Sequence, residues 1–214
     1  MVFEPEKIRK AIEQAIKNAK KRNFDEALDI AINLRDVDLR KPENRIKTEI
    51  VLPHGLGKEL SIGVIAEGEL AVKSKQKANI VLSKEQLEEL GKDKKKAKKI
   101  AEENDVFIAQ ADLMPLVGKT MGAILGIRGK MPKPIPPQAD PIPVMERLSR
   151  TIRINTRDKP VIHAKAGLVT MPLEQLVDNV ETILKAVESK LERGASNIRS
   201  VYVKTTMGPA VRLC

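Results

Sequence analysis

The chain has no tryptophan, one tyrosine and three phenylalanines in 214 residues, so aromatics make up only 2%. An RNA-binding sheet of stacked rings, or an aromatic-lined sugar or ligand site, has too little to be built from. There is one cysteine, Cys214, which excludes an internal disulfide and a cysteine-based zinc cage and predicts a reducing cytosol. The only histidines, His54 and His163, are far apart and lack acidic or cysteine partners at ligand spacing, which argues against a zinc site. No apolar run approaches the roughly 18 residues a membrane helix needs. The chain starts with Glu4, Glu6, Lys7, Arg9 and Lys10 rather than an apolar signal core. These shortages predict a cytoplasmic chain with no membrane partner, no metal and no other cofactor.

What is plentiful is aliphatic and charged. Hydrophobic residues reach 42%, enough for real cores. Lys and Arg number 39 against 29 Asp and Glu, a net charge of +10. In a chain this size that favours a polyanionic partner such as nucleic acid. A Lys- and Glu-rich thermophile surface is the competing explanation.

The spacing of Ile8, Ile12, Ala15, Ile16 and Ala19 predicts a first helix with Pro5 in its first turn. Phe24-Asp25-Glu26 is read as opening a second, short helix through Leu28 and Ile32. Thr48 to Pro53 reads as a strand. From Gly57 on, strands (Leu60 to Ala66, Ile80 to Leu82, Val106 to Ala109) alternate with helices: Glu67 to Lys77, one capped by Ser83 and Gln86 and ended by Gly91, one begun by Asp93, and Leu113 to Leu125. That alternation predicts a parallel sheet with crossover helices. Pro132, Pro134, Pro136, Pro137, Pro141 and Pro143 then predict a stiff extended linker with neither helix nor central strand. Beyond it, Thr151 to Asn155 and Val161 to Lys165 read as strands joined by a turn at Arg157-Asp158-Lys159. A long helix starts at Pro172 and is stopped by Gly194, and Ser200 to Thr205 is the final strand.

The plan is nested. One domain comes from both ends, about residues 1–55 and 150–214, and another, about 56–149, is inserted between them. The insert has 16 basic and 13 acidic residues, so +7 of the chain's +10 falls on the split domain. A nucleic-acid face is expected mainly there.

Motifs for catalysis are incomplete, and no catalytic residue is assigned. Gly118-Lys119-Thr120 ends like a phosphate-binding loop, but the glycine needed five residues earlier is Leu113. Gly55-Leu56-Gly57 is half of a dinucleotide fingerprint whose third glycine is Leu60, so a hinge or turn fits better. No Gly-x-Ser-x-Gly is present. The alternative class is an enzyme using the inserted α/β domain for a nucleotide or phosphorylated ligand. The six lysines from Lys92 to Lys99 read as a solvated helix face, or as a weak, nonspecific contact to phosphates. Ser200-Val201-Tyr202-Val203-Lys204-Thr205-Thr206-Met207-Gly208-Pro209 ends a strand in hydroxyls, a thioether and a glycine. Hydroxyls can bond phosphates or 2′-hydroxyls, and methionine can pack on ribose or a base; a plain turn explains the stretch equally well.

Together with Phe24-Asp25-Glu26, Leu52-Pro53-His54-Gly55-Leu56-Gly57-Lys58 and His163-Ala164-Lys165-Ala166-Gly167, that last segment resembles the large-subunit ribosomal protein L-one family. Its members form the mobile stalk beside the tRNA exit site. The resemblance covers nearly the whole chain, and the short N-terminus and Lys/Glu/Ile-rich composition look archaeal. It implies a split α+β domain carrying the RNA site and an inserted Rossmann-like α/β domain. It implies a non-enzymatic protein whose partners are large-subunit rRNA, its own mRNA as a translational repressor, and tRNA at the exit site. Carried over by position, Phe24 and Asp25 would brace or touch RNA. Thr205, Thr206, Met207 and Gly208 would contact ribose and backbone, with Lys47, Thr48, His163, Lys165, Gly167 and Ser200 as neighbours. Ala27 and Asn33 differ from the residues expected in bacterial members.

Overall fold

The structure is a computed structural model that describes residues 4–41, 44–156 and 159–214. In chain order its first elements are α1 (Pro5–Lys17), β1 (Ala27–Leu34), β2 (Lys47–Val51), β3 (Ile62–Ile65) and α2 (Gly68–Ser74). Next come β4 (Ile80–Leu82), α3 (Lys84–Lys92), α4 (Lys94–Glu103), β5 (Val106–Gln110), α5 (Met114–Thr120) and α6 (Gly122–Ile127). The rest are β6 (Lys133–Ile135), α7 (Pro141–Ser149), β7 (Thr151–Asn155), β8 (Val161–Leu168), α8 (Leu173–Glu188), β9 (Ile198–Thr205) and β10 (Val211–Arg212). They form two compact units. One takes in the chain through Lys58 and again from Arg150, and the other is Glu59–Ser149.

In the first unit an antiparallel sheet has the order β10-β9-β1-β8, and β2 pairs with β7 in a separate antiparallel ribbon. Every second residue of β1 is buried: Leu28, Ile30, Ile32 and Leu34. They meet Ile162 and Ala164 of β8, Val201 and Val203 of β9, Ile8 and Ile12 of α1, and Val180, Ile183 and Leu184 of α8 in one core. Burying each large aliphatic contributes about 1.5–3 kcal/mol, and that drives α1 and α8 onto one face of the sheet. The ribbon joins the same core through Ile50, Ile152 and Ile154.

In the second unit four parallel strands run in the order β4-β3-β5-β6. Ile65, Leu82, Phe107 and Ala109 pack on one side with residues of α3 to α6. Ile62, Val64, Ile108 and Ile135 pack on the other with Leu70 of α2 and with Met145 and Leu148 of α7. A parallel strand covered on both faces has no solvent side, and all four residues of β3 are buried accordingly. The molecule is thus mixed α+β and α/β, the second unit being a three-layer, Rossmann-like sandwich. The capping box at α3 is present: Ser83 Oγ accepts from the Gln86 amide, and Gln86 Oε1 accepts from the Ser83 amide.

Several sequence expectations are corrected. The segment after Phe24 is strand β1, not a helix. Leu28 and Ile32 stand at helical spacing, but Ile30 and Leu34 complete a period-two pattern that a sheet buries better. The Leu113 to Leu125 helix is broken at Met121 into α5 and α6. The proline segment is not a bare linker. Pro134 lies in β6, an edge strand, where a missing amide is tolerated, and Pro141 opens α7, where its fixed φ suits a first turn. Gly91 lies inside α3, which runs to Lys92, and α8 ends at Glu188, before Gly194. β9 is followed by one more strand, β10. β7 and β8 lie in different sheets, and of the turn expected between them Arg157 and Asp158 fall outside the described residues.

Candidate nucleic-acid interface

The face of the four-stranded sheet opposite α1 and α8 is polar and partly exposed. β1 presents Asp29, Ala31 and Asn33 there. The register sets Asp29 across from Lys165 on one side and Lys204 on the other, and Ala31 across from His163 and Tyr202. Arg212 of β10 stands opposite Tyr202. Asn33 Nδ2 donates to Ser200 Oγ at 2.8 Å, which fixes both side chains. Cations therefore surround one carboxylate. Burial pushes the Asp29 carboxyl above its ordinary value, and Lys204, Lys165 and His163 pull it back only in part. Its charged form is a burden that the neighbouring cations offset incompletely.

One end of this sheet gathers most of the residues singled out in the sequence. The Ala27 amide donates to Thr206 Oγ1 at 3.0 Å, and the Thr206 amide donates to the Ala27 carbonyl at 2.9 Å. The Val169 amide donates to the Glu26 carbonyl at 2.9 Å. These bonds hold the Phe24-Asp25-Glu26 segment, the end of β8 and the Thr206-Met207-Gly208 turn side by side. Phe24 is 54% exposed and Met207 58%, large apolar side chains left in solvent at the same sheet end. Asp25 and Thr206 are exposed as well.

Three of the residues singled out in the sequence are interior: Ser200, Thr205 and Gly167. Thr205 is fully buried, and its hydroxyl has no hydrogen-bond partner among the described residues. A Cβ on Gly208 would come within 2.3 Å of that hydroxyl, so only glycine lets the turn fold back over Thr205. Gly167 is buried, and a Cβ there would fall 2.8 Å from Leu176 of α8 and from Met171. It sits where β8 bulges against β1, opposite Leu28. Glu26 is also buried; Arg22 Nε lies 3.3 Å from its Oε1 as an ion pair without hydrogen-bond alignment. Lys47 and Thr48 are placed apart from the rest, on β2 in the ribbon, with Lys47 exposed opposite Asn155.

Asp29, Tyr202, Lys204 and Arg212 belong to this face and were not among the site residues assigned from the sequence. The alternation in Ala27–Leu34 was the signal for Asp29, because a strand reading places it with Ala31 and Asn33 on one side. The motifs for nucleotide binding do not assemble. Gly118-Lys119-Thr120 ends α5, and the Thr120 hydroxyl donates back to the Leu116 carbonyl. Gly55-Leu56-Gly57 forms a turn, and His54 Nε2 lies 2.9 Å from Asp178 Oδ2. Among the described residues no cluster of His, Cys, Asp and Glu could hold a metal ion, and no helix is long and apolar enough to cross a membrane.

The model of the ribosomal protein L1p/L10e family matches residues 15–209. The chain belongs to that family. It is 51% identical over 214 residues to the large ribosomal subunit protein uL1 of Archaeoglobus fulgidus, covering 100% of both chains. It is 52% identical over 208 residues to uL1 of Methanothermococcus thermolithotrophicus, covering 97% of this chain and 98% of that one. Against uL1 of Pyrococcus horikoshii the identity is 49% over 214 residues, 100% and 98% covered. These relatives carry the name of an archaeal ribosomal component, and the family is not one of enzymes.

Proposed function

We propose that the chain is an rRNA-binding protein of the large ribosomal subunit, working in the cytoplasm, and that the open face of the split unit is its RNA site. The observation that carries this reading is the sheet end where exposed Phe24 and Met207 flank Thr206, joined to a face bearing His163, Lys165, Tyr202, Lys204 and Arg212. Cations supply salt-dependent attraction to phosphates. Exposed Phe24 and Met207 offer apolar surface to ribose or to an unstacked base. Asp25 offers a polar group at the rim, Thr206 ties the turn to Ala27, and Thr205, Gly167 and Gly208 shape the site from behind.

The finer reading follows the family resemblance. The target is a bent stem with an internal loop at the mobile stalk near the tRNA exit site. The same face takes a like-shaped element of the protein's own messenger and so represses its translation, and the stalk meets tRNA leaving the exit site. Lys47 and Thr48 are peripheral to this site. Footprinting on total RNA tests the reading, together with a DNA duplex of the same sequence as the recovered stem. Recovery of one large-subunit rRNA stem and far weaker DNA binding are expected. Equal affinity for DNA and RNA would rule out readout of 2′-hydroxyls.

A further inference from the structure

We propose that the exposed face of α4, in the inserted unit, is a second RNA-contacting surface that grips the phosphates of a duplex without reading sequence. The buried residues Ala97 and Ala101 seat this helix on its unit and turn Lys94, Lys95, Lys96, Lys98 and Lys99 outward. Residues one turn apart share a side of a helix, so Lys94 stacks with Lys98 and Lys95 with Lys99. Lys94, Lys95 and Lys98 have no ion pair or side-chain hydrogen bond among the described residues, while Lys96 and Lys99 reach Asp93 and Glu103 only at 3.8 and 3.9 Å.

Of the acids on or beside this helix, Glu103 reaches only Lys99, and Asp93 and Glu102 are engaged elsewhere. Asp93 Oδ1 caps the helix by accepting from the amides of Lys95 and Lys96. Glu102, one turn beyond Lys98, is held by Arg128 at the end of α6. Lysines in a first turn oppose the helix dipole, and α1, α2, α3 and α8 each carry a glutamate there where α4 carries none. Stability alone does not favour this placement; contact with a polyanion does. The lysine stripe contains no aliphatic or aromatic anchor of the kind that protein partners bury at the centre of an interface. Point charges on flexible stems suit phosphates, whose released counterions supply the affinity.

The test compares two triple variants of the full chain with the same net charge. One is Lys94→Gln, Lys95→Gln, Lys98→Gln; the other is Lys75→Gln, Lys84→Gln, Lys119→Gln, exposed lysines elsewhere on the same unit. Binding to a mixed-sequence RNA duplex is measured across a salt series. The α4 variant is expected to flatten the slope of log affinity against log salt by about 2 to 3, with a melting temperature no lower than wild type, while the second variant leaves the slope near wild type. Equal changes in both variants reduce the effect to net charge and overturn the proposal. An unchanged slope overturns it too. In either case the affinity of the same full-chain variants for the specific stem, measured in parallel, reports separately on the primary site.

Discussion

At the scale of single residues, Thr206 and Met207 are neighbours with different duties. The Thr206 hydroxyl is spent inside the protein, accepting from the Ala27 amide, whereas the Met207 side chain is more than half exposed. Met207→Ala is therefore expected to lower RNA affinity while leaving the melting temperature unchanged. Thr206→Val keeps the shape but removes the acceptor. It should cost about 1 kcal/mol of folding stability, because a protein hydrogen bond is lost and a partly covered donor is left unmade. Denaturant midpoints of the two variants, measured beside their RNA affinities, separate these roles. A Met207→Ala protein that binds like wild type would remove the exposed methionine from the site. From sequence, the strand-end hydroxyls looked alike. Only the register, with Leu28 opposite Thr205 and the turn beginning just beyond, shows that one is buried, one ties down β1 and the methionine faces out.

At the scale of elements, β1 decides which side chains form the candidate site. Its burial alternates along the strand, with Ile30 in the core and Ala31 on the open face. Ile30→Ala should destabilise the protein by about 2–5 kcal/mol, the usual cost of a cavity in a packed core. Ala31→Glu should fold normally yet weaken RNA binding, since it places a carboxylate between His163 and Tyr202. Thermal melts and RNA titrations of this pair check the face assignment; an Ala31→Glu protein that unfolds would mean the face is covered. Elements with local signals were legible in the sequence: the stripe of α1, the capping box of α3, and the continuous apolar run of β3 that two helical layers bury. β1 was not, because Leu28 and Ile32 also satisfy a helical spacing and nothing local reveals that β8 and β9 flank it. Nor was α7. Proline normally ends a helix, and only packing of Met145 and Leu148 against the sheet shows that Pro141 begins one.

At the scale of the whole molecule, the central claim is that RNA recognition resides in the unit built from the two chain ends. The change of style after Gly57 and the proline cluster were the sequence signals for an insert, and the two compact units divide at Lys58 and Arg150. The open face had no such signal, since it sets β1 beside β8 and β9, strands that start more than a hundred residues after β1 ends. The two end segments are tied to each other: β2 pairs with β7 up to Val51 and Thr151, and the Leu52 amide donates to the Arg150 carbonyl at 2.8 Å. A Cβ on Gly55 would lie 3.4 Å from Arg150, so a short linker can join residues 1–55 to 150–214. The decisive measurement is the affinity of that joined chain, shown to be folded by circular dichroism, for the rRNA stem bound by the full protein. The split unit carries +7 and nearly every residue of the candidate site, so affinity within about tenfold of the full chain is predicted. A folded chain that loses more than about a hundredfold, roughly 2.7 kcal/mol, would place the primary contacts on the inserted unit and contradict the account.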